Sequence, residues 1–172
     1  TWNVNSLKVR FPHLEILLNE HKPDFICLQE TKTEDQNFLK GEIESLDYSV
    51  VYHGQKTYNG VAILSREKMF DIQAGVPGLQ DEQARVIAAT SADGLRIINA
   101  YVPNGESIDS QKYQYKLKWL RAFVDFVLAE AVQHNKLVVL GDFNIAPKDQ
   151  DVYDAEAFRD KVLCTSQERD LY

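Results

Sequence analysis

Four apolar segments of the chain end in pairs of polar side chains that lie two residues apart: Asn3 and Asn5, Glu30 and Lys32, Asn99 and Tyr101, and Asp142 and Asn144. Because successive side chains of a strand point to opposite faces, the two members of each pair are expected on the same face. Asparagine and aspartate are also common where strands become turns, so a single pair more often marks a turn. Four pairs at neighbouring strand ends predict a polar cleft.

A cleft of this composition has the side chains needed to hydrolyse a phosphate ester. A hard divalent cation such as Mg²⁺ binds oxygen ligands and often keeps several waters, so Glu30 can serve as its carboxylate ligand. Asp142 can orient or deprotonate an attacking water. Lys32 adds positive charge, and the remaining amide and phenol groups can hold phosphate oxygens by hydrogen bonds: Asn3, Asn5, Asn144 and Tyr101. The predicted chemistry works by positioning and charge stabilisation, without a covalent intermediate.

Hydrophobic periodicity indicates the elements that must position these pairs. Apolar residues at helical spacing predict a helix around 11–18 that Pro23 ends, a weaker helix over 36–46, and a long amphipathic helix over 113–131. A strand is expected to end at 3–5, and apolar runs bounded by turn residues predict strands at 25–28, 48–52, 61–65, 69–74, 85–90, 95–102 and 137–140. A loop-rich tail follows.

This order of elements favours an α/β fold with two packed mixed β-sheets flanked by helices over a fold with one parallel sheet. No G-x-G-x-x-G segment follows a strand, which disfavours a dinucleotide-binding Rossmann fold. With 172 residues, 44% of them hydrophobic, the chain is long and apolar enough for a single domain over 1–172 with a substantial core.

The net charge of −7 argues against a protein that coats nucleic acid through bulk positive charge, but it is compatible with an enzyme that has a local basic groove. No apolar run reaches the roughly 20 residues of a membrane helix, so no membrane partner is expected. The two cysteines, Cys27 and Cys164, are too few for a disulfide framework, and a reducing cytoplasmic compartment fits best.

Six segments carry motifs of a known family, in the family's order: TWNVNSLKVR at 1–10, PDFICLQETKTEDQNF at 23–38, HGQKTYNGVAILSR at 53–66, NAYVPNGES at 99–107, KYQYKLKWL at 112–120 and LVVLGDFNIAPKDQDVYD at 137–154. On these segments the chain resembles the exonuclease III family of apurinic/apyrimidinic (AP) endonucleases, within the endonuclease/exonuclease/phosphatase superfamily. QET and GDFN alone indicate only the superfamily, whereas QETKT, QKTYNGVA and YVPNGES are typical of its DNA-repair branch. The resemblance implies a four-layer, DNase I-like α/β sandwich with the site at one rim.

The resemblance also implies roles for single residues. Glu30 would bind Mg²⁺, with Mn²⁺ as a substitute, and Asn3 and Asn5 would lie beside the metal or its waters. Asp142 would align or activate the water, and Asn144 would help to stabilise the transition state. Contacts with phosphate and with the DNA backbone would come from Lys32, Tyr101, Asn104, Tyr58, Asn59, Gly60, Lys112 and Tyr113.

The activity implied by the resemblance is Mg²⁺-dependent hydrolysis of the DNA backbone 5′ of abasic sites, together with removal of nucleotides or blocking groups from 3′ ends. The implied partner is double-stranded DNA with abasic sites or 3′ ends, bound by a monomer in a bacterial cytoplasm, at the nucleoid. Two other functions stay open: a phosphatase of the same superfamily that acts on lipid or small-molecule phosphates, and a catalytically inactive module that binds DNA.

One departure from the family pattern concerns its C-terminal part. Longer family members continue with an aspartate and a final Ser-Asp-His segment, and no Asp-His pair exists in this sequence. The four histidines, His13, His21, His53 and His134, lie elsewhere. The chain is therefore expected to be part of a longer enzyme, truncated at both ends.

The long helix carries a basic run whose role the sequence leaves open. Lys112, Lys116, Lys118 and Arg121 form either a solvated helix face or a track for DNA. Trp119 and Phe123 of the same helix are expected to pack in the core.

Overall fold

The computed structural model describes residues 1–172 and contains two four-stranded β-sheets. The first sheet has the order β1-β2-β4-β3 and is formed by β1 (Trp2–Asn3), β2 (Phe25–Gln29), β3 (Ser49–His53) and β4 (Val61–Ser65). β1 runs parallel to β2, and the other neighbours are antiparallel. Helix α1 (Leu7–His21) connects β1 to β2, and a 3₁₀ turn (Asp35–Asn37) and α2 (Lys40–Glu44) connect β2 to β3.

The second sheet follows the order of the sequence and is formed by β5 (Phe70–Ala74), β6 (Val86–Thr90), β7 (Arg96–Tyr101) and β8 (Leu137–Asp142). β7 and β8 are parallel, because the long helix α3 (Gln111–Gln133) crosses between them. The tail contains a 3₁₀ turn (Asp149–Asp151), α4 (Ala155–Phe158) and α5 (Ser166–Arg169). None of the helices combines the length and the apolar character that crossing a membrane requires.

Three apolar clusters hold the helices and sheets together as four layers. Helix α1 packs Leu14 and its neighbours on the outer face of the first sheet. Ile63 of the first sheet and Ile87 of the second belong to a cluster between the sheets. Helix α3 packs Trp119 and Phe123 on the outer face of the second sheet, which confirms that both residues belong to the core. The arrangement confirms the predicted fold class of two mixed sheets flanked by helices.

The central strands are buried on both faces, which explains their sequence pattern. All five residues of β4 are buried, as are four of the five in β6. Strands covered on both sides contain continuous apolar runs, whereas half-exposed strands alternate apolar and polar residues. Such runs are the signal that predicts strands at 61–65 and 85–90.

The predicted helix over 36–46 is confirmed only as the shorter α2 (Lys40–Glu44), because Phe38 interrupts the segment. The backbone of Phe38 is extended, with φ −68° and ψ 143°, and it separates the 3₁₀ turn from α2. Its largely buried ring stacks on Tyr52 with the ring centroids 4.0 Å apart. Packing of this ring overrides the weak helical preference of the segment.

Asn99 is a polar residue within the apolar layer between the sheets, and it is fully buried. Asn99 Nδ2 donates to the carbonyls of Leu28 (2.9 Å) and Ala62 (2.8 Å), and Asn99 Oδ1 accepts from Gln29 Nε2 at 2.7 Å. Asn99 and Tyr101 lie on the same face of β7, as predicted, since Asn99 bonds Leu28 of β2 and Tyr101 bonds Glu30, which follows β2. The Asn99 side chain links the two sheets behind the rim, and only Tyr101 reaches the rim.

Replacement of Asn99 by alanine should lower the free energy of unfolding by about 2–4 kcal/mol, because three hydrogen bonds are lost inside a dry layer and the Gln29 amide loses a buried acceptor. Asn37→Ala is the control, since Asn37 is exposed and its side chain bonds only Glu34. The control should change stability by less than about 0.5 kcal/mol. Urea unfolding measures both variants, and equal losses would contradict the inter-sheet link.

Candidate active site

The side-chain amide of Asn3 joins two carboxylates that come from different sheets. Asn3 is the last residue of β1, Glu30 follows β2, and Asp142 is the last residue of β8. Asn3 Nδ2 donates to Glu30 Oε1 and to Asp142 Oδ2, both at 2.8 Å. The rim at the ends of β1, β2 and β8 therefore holds two acids around one amide, as the polar strand ends predicted.

Glu30 is an ionised carboxylate held by three side chains. Besides the bond from Asn3, Glu30 Oε1 accepts from the Tyr101 hydroxyl at 2.8 Å, and Glu30 Oε2 lies 3.0 Å from Lys32 Nζ. Burial alone would raise the pKa of Glu30. The hydrogen bonds from Asn3, Tyr101 and Lys32 outweigh burial and hold this pKa below its ordinary value. The carboxylate is therefore negative at neutral pH.

Tyr101 remains a protonated phenol in this environment. Burial raises its pKa, and the hydrogen bond to the Glu30 carboxylate and its charge raise it further. The Arg85 guanidinium lies 4.8 Å from the centroid of the Tyr101 ring, and Arg85 Nη1 donates to the Tyr101 carbonyl at 3.1 Å. Sequence reasoning missed Arg85, whose only sequence signal is its place at the start of a predicted strand.

Several residues of the polar pairs lie in left-handed turns and not in strands. The backbone φ is positive at Asn5 (44°), Glu30 (53°), Lys32 (51°) and Asn144 (48°). The expected strand alternation holds for Asn99 and Tyr101 within β7 and is wrong for the other three pairs, whose side chains meet because each strand ends in a turn. Asparagine tolerates this backbone region well. For Glu30 and Lys32 it costs roughly 1–3 kcal/mol each, so neighbouring contacts must hold the turn.

Gly60 braces the turn that carries Glu30. Thr31 N donates to the Gly60 carbonyl at 3.1 Å, and Lys32 N donates to the Asn59 carbonyl at 2.9 Å. A Cβ on Gly60 would lie 2.1 Å from Thr31 Oγ1, and Gly60 has a φ of +91°. Because Gly60 is buried, the predicted contact of this residue with DNA does not fit its position. Gly60 supports Glu30 from behind.

Two amides form the side of the rim next to Asp142. Asn104 Nδ2 donates to Asn144 Oδ1 at 3.1 Å, and Asn144 Nδ2 donates to the Val102 carbonyl at 3.0 Å. The backbone N–H of Asn144 donates to Asp142 Oδ1 at 3.2 Å. An amide group carries two N–H donors, so each of the two side chains keeps one donor free for a ligand.

A polar groove of about 660 Å³ lies beside the rim. Its lining includes Tyr101 and four residues that were predicted to contact substrate: Tyr58, Asn59, Asn104 and Lys112. Tyr58 is 68% exposed, and Lys112 is also exposed. The structure thus brings most of the predicted contact residues together, and their contact with DNA stays a prediction.

Tyr113 is, after Gly60, a second exception among the predicted contact residues. Its side chain is 4% exposed, and its hydroxyl lies 2.6 Å from Thr165 Oγ1. The predicted DNA contact of Tyr113 is therefore wrong for the side chain, because it faces the tail of the chain and not the solvent.

The basic run of α3 does not form one helix face. Lys118 and Arg121 are exposed, whereas Lys116 is fully buried and lies 2.5 Å from the Glu168 carboxylate. Both interpretations of the run, as a solvated face or as a DNA track, are wrong for Lys116. Sequence reasoning missed this ion pair, because Glu168 lies in the short helix α5, far along the chain.

The donor set at the rim fits a hard divalent cation that keeps several waters. Glu30 is an ionised oxygen ligand, and Asp142 adds a second carboxylate one amide away. Asn3 Oδ1 and Asn5 Oδ1 accept from Asn5 N (3.1 Å) and from Lys32 Nζ (2.5 Å), so the ligand roles of the two asparagines stay predictions. No group of three or more His, Cys, Asp or Glu side chains is arranged as a metal site.

The histidines lie outside this site. His13 and His21 are exposed on α1, His53 is the last residue of β3, and His134 follows the end of α3. Carboxylates, amides, a phenol and a lysine therefore make up the chemistry of the rim.

Comparison with known proteins supports the resemblance seen in the motifs. Residues 1–167 match the Endonuclease/Exonuclease/phosphatase family. Exodeoxyribonuclease III of Haemophilus influenzae is 34% identical over 172 residues, which cover 97% of this chain and 64% of that protein. The exodeoxyribonuclease of Bacillus subtilis is 27% identical over 176 residues, which cover 100% of this chain and 68% of that protein. The chain thus spans about two thirds of the length of these relatives.

Solved structures are similar over the same extent. The 3′ phosphatase NExo from Neisseria, bound to a product DNA hairpin, has a TM-score of 0.97 and 48% sequence identity, with 99% of this chain and 66% of that chain covered. The AP endonuclease from Archaeoglobus fulgidus has a TM-score of 0.93 and 38% identity, with 99% and 66% covered. These similarities confirm the sandwich fold and the predicted resemblance to exonuclease III-type proteins.

Replacement of Gly60 by alanine should distort the turn at Glu30, because the new Cβ collides with Thr31 Oγ1 and the φ of Gly60 is unfavourable for alanine. The expected loss of stability is about 2–4 kcal/mol. Gly75→Ala is a matched control, since Gly75 has a φ of +71° and a Cβ added there would meet nothing within 4 Å. Chemical unfolding should give a clearly smaller loss for the control. Similar losses would mean that backbone strain alone acts at Gly60.

Proposed function

The chain belongs to the Endonuclease/Exonuclease/phosphatase family, and from that membership we propose that it is the larger part of a DNA-repair phosphodiesterase. The proposed enzyme cuts the DNA backbone 5′ of abasic sites and removes nucleotides or blocking groups from 3′ ends. The observation that carries the proposal is the pair of carboxylates, Glu30 and Asp142, joined by the Asn3 amide at an open rim. Phosphoryl transfer needs such a site for a cation and a positioned water.

Mg²⁺ is the proposed cofactor, with Mn²⁺ as a substitute, and Glu30 is the residue that would hold it. Bound there, the cation would neutralise negative charge on the phosphate. Lys32 Nζ lies 3.0 Å from Glu30 Oε2 and stabilises the ionised carboxylate. Each carboxylate oxygen has two acceptor sites, so Lys32 occupies only one of the two sites on Oε2. Glu30 therefore keeps acceptor capacity for a ligand.

Asp142 is the proposed group that aligns and deprotonates the attacking water. Its Oδ2 accepts from Asn3 and its Oδ1 from Asn144 N, so both oxygens are fixed while each keeps an unused acceptor site. In the proposed step the water oxygen bonds to phosphorus, its proton passes to Asp142, and the bond from phosphorus to the 3′ oxygen breaks. The leaving oxygen takes a proton from solvent and becomes a 3′-hydroxyl.

The free donors beside Asp142 would stabilise the charge that develops on phosphate. Asn104 and Asn144 each keep one amide N–H, and Lys32 adds a positive charge across the rim. Donors that are already fixed before the reaction stabilise a transition state without reorganisation. Tyr58 and Lys112 would contact the DNA backbone along the adjacent groove.

Removal of a 3′-phosphate is a second candidate activity for the same site. The observation that favours it is the similarity to the Neisseria protein, which is described as a 3′ phosphatase and is 48% identical. Hydrolysis of a 3′-phosphate and of a backbone linkage breaks the same kind of phosphorus–oxygen bond at the 3′ carbon. The two activities would differ in whether the groove accepts a further nucleotide beyond the phosphate.

The testing experiment compares three labelled duplexes: one with a single abasic site, one with a recessed 3′-phosphate and one with a recessed 3′-hydroxyl. The full-length natural protein is incubated with each duplex, once in the presence of Mg²⁺ and once in the presence of a chelator. Mg²⁺-dependent cutting 5′ of the abasic site supports the repair nuclease, and release of phosphate alone supports the second candidate. The proposal would be overturned if the protein acted on none of the three duplexes but hydrolysed an inositol or lipid phosphate.

Asp142→Asn should lower kcat by about 10³-fold or more and leave the Kd for DNA within about threefold, because the amide cannot take the proton of the water. Asp125→Asn is the control, since Asp125 is exposed on α3 and its substitution removes the same charge. Single-turnover kinetics and DNA binding measured in parallel separate the two effects. Turnover close to that of the unaltered protein would exclude this role for Asp142.

Glu30→Gln should raise the Mg²⁺ concentration needed for half-maximal activity by about tenfold or more, because a neutral amide binds a hard cation more weakly than a carboxylate. Glu15→Gln provides the matched change at an exposed position of α1. Activity is measured across a Mg²⁺ titration for both variants. An unchanged titration for Glu30→Gln would mean that Glu30 is not a metal ligand.

A further inference from the structure

Lys116 is a fully buried lysine whose three N–H donors all have acceptors. Lys116 Nζ donates to the carbonyl of Asn144 at 2.6 Å and to the carbonyl of Asn104 at 3.1 Å, and it lies 2.5 Å from Glu168 Oε1. An ammonium group has three donors and no acceptor, so it matches this set of three acceptors. A neutral amine would turn a lone pair towards one of them. Burial lowers the pKa of Lys116, and the hydrogen bond to Glu168 and the charge of Glu168 oppose this shift.

Glu168 is held as firmly as its partner. Glu168 Oε1 accepts from Leu163 N at 3.0 Å, and Glu168 Oε2 accepts from Thr165 N (3.0 Å) and Thr165 Oγ1 (2.8 Å). The side chain is fully buried, and α5 begins with a capping box in which Glu168 Oε2 accepts from Thr165 N and Thr165 Oγ1 accepts from Glu168 N. The tail thus wraps a carboxylate that reaches Lys116, and the ion pair is satisfied on both sides.

The two carbonyls bound by Lys116 belong to the residues whose amides form one side of the rim. Asn104 follows β7 and Asn144 follows β8, and Asn104 Nδ2 donates to Asn144 Oδ1 at 3.1 Å. Asn144 N in turn donates to Asp142 Oδ1. Lys116 therefore fixes, from beneath, the two loops that carry the free amide donors next to Asp142.

We propose that Lys116 is a positioning residue for phosphodiester hydrolysis, which holds the Asn104 and Asn144 amides in register with Asp142 and uses Glu168 as its buried counter-ion. The proposal rests on the proposed function, because it names the residue that supports the phosphate side of that site. Lys116 contacts neither substrate nor reacting atoms, and it acts through the two loops.

The alternative is that the pair only contributes to stability. Buried ion pairs often add little net stability compared with apolar residues of similar size, whereas loss of one partner is strongly destabilising. A single Lys116→Met variant would leave Glu168 buried without its counter-ion, so it would not separate the two roles. Replacing both residues removes both charges and keeps the variant testable.

The experiment compares the double variant Lys116→Met/Glu168→Gln with Arg96→Met/Glu130→Gln. Arg96 and Glu130 form a second buried ion pair, which joins the start of β7 to the far end of α3. Each double variant removes one positive and one negative charge, and only the Lys116/Glu168 pair contacts the site loops. Both double variants are made in the full-length natural protein. Thermal unfolding identifies a working temperature well below both transitions. Steady-state kinetics on the abasic duplex at that temperature give kcat and KM.

The Lys116/Glu168 variant should lose about 30-fold or more in kcat, with KM within about threefold, because small misplacement of positioning groups lowers turnover strongly. The Arg96/Glu130 variant should keep kcat within about twofold at the same temperature. Equal kcat losses in the two variants, or a kcat within about twofold of the unaltered protein for Lys116/Glu168, would overturn the proposal.

A second readout does not depend on the proposed activity. NMR relaxation of the side-chain amides should show greater motion at Asn104 and Asn144 in the Lys116/Glu168 variant and unchanged motion in the Arg96/Glu130 variant. If the unaltered protein acts on no DNA duplex, the proposed function fails on its own. Unchanged amide motion in the Lys116/Glu168 variant would then overturn the positioning role as well.

Discussion

The site depends on one amide that is held between two negative charges. Asn3 donates to both Glu30 and Asp142, so one neutral group joins the two carboxylates. Because the acids come from different sheets, the stacking of the sheets sets their separation. Behind the rim, Asn99 and Gln29 join the same sheets through neutral groups. The site is thus the open end of a polar seam that runs through an apolar layer.

Pairing within the second sheet explains why a glycine precedes Asp142. Gly141 pairs with Ala100 in the parallel ladder between β7 and β8, and a Cβ on Gly141 would lie 1.9 Å from the Ala100 carbonyl oxygen. Gly141 has a φ of +153°, a backbone conformation in which a side chain would collide with the neighbouring strand, so glycine is needed at this position. The next pair in the ladder is Tyr101 and Asp142, so the pairing brings the phenol and the carboxylate to the same edge. A geometric requirement and a chemical one therefore occupy adjacent positions in the sequence.

The sequence was sufficient to predict the strands and the grouping of Glu30 with Asp142, because double-sided burial produces continuous apolar runs that end at the rim. It was not sufficient for the local geometry. Glutamate and lysine are not characteristic of left-handed turns, so the conformation at Glu30 and Lys32 has no compositional signal. Lys116 sits in a helix with many charged residues, and only tertiary structure brings Glu168 to it. Burial of a paired charge depends on distant partners, which periodicity does not report.

Helix α3 carries a buried, paired charge towards each end, and both ion pairs oppose a shift of the helix along its sheet. Lys116 meets Glu168 beneath the site, and Glu130 meets Arg96 at the start of β7. Apolar contacts along a helix are not directional, so a shift of the helix along its sheet costs little as long as area stays buried. A shift that separated a buried ion pair would leave each charge unpaired in the interior. Breaking such a pair costs about 3–5 kcal/mol of stability, so the pair opposes the shift. The Lys116 end of α3 is thus tied to the loops after β7 and β8, whereas the Glu130 end is tied to the start of β7, away from Tyr101 and Asp142.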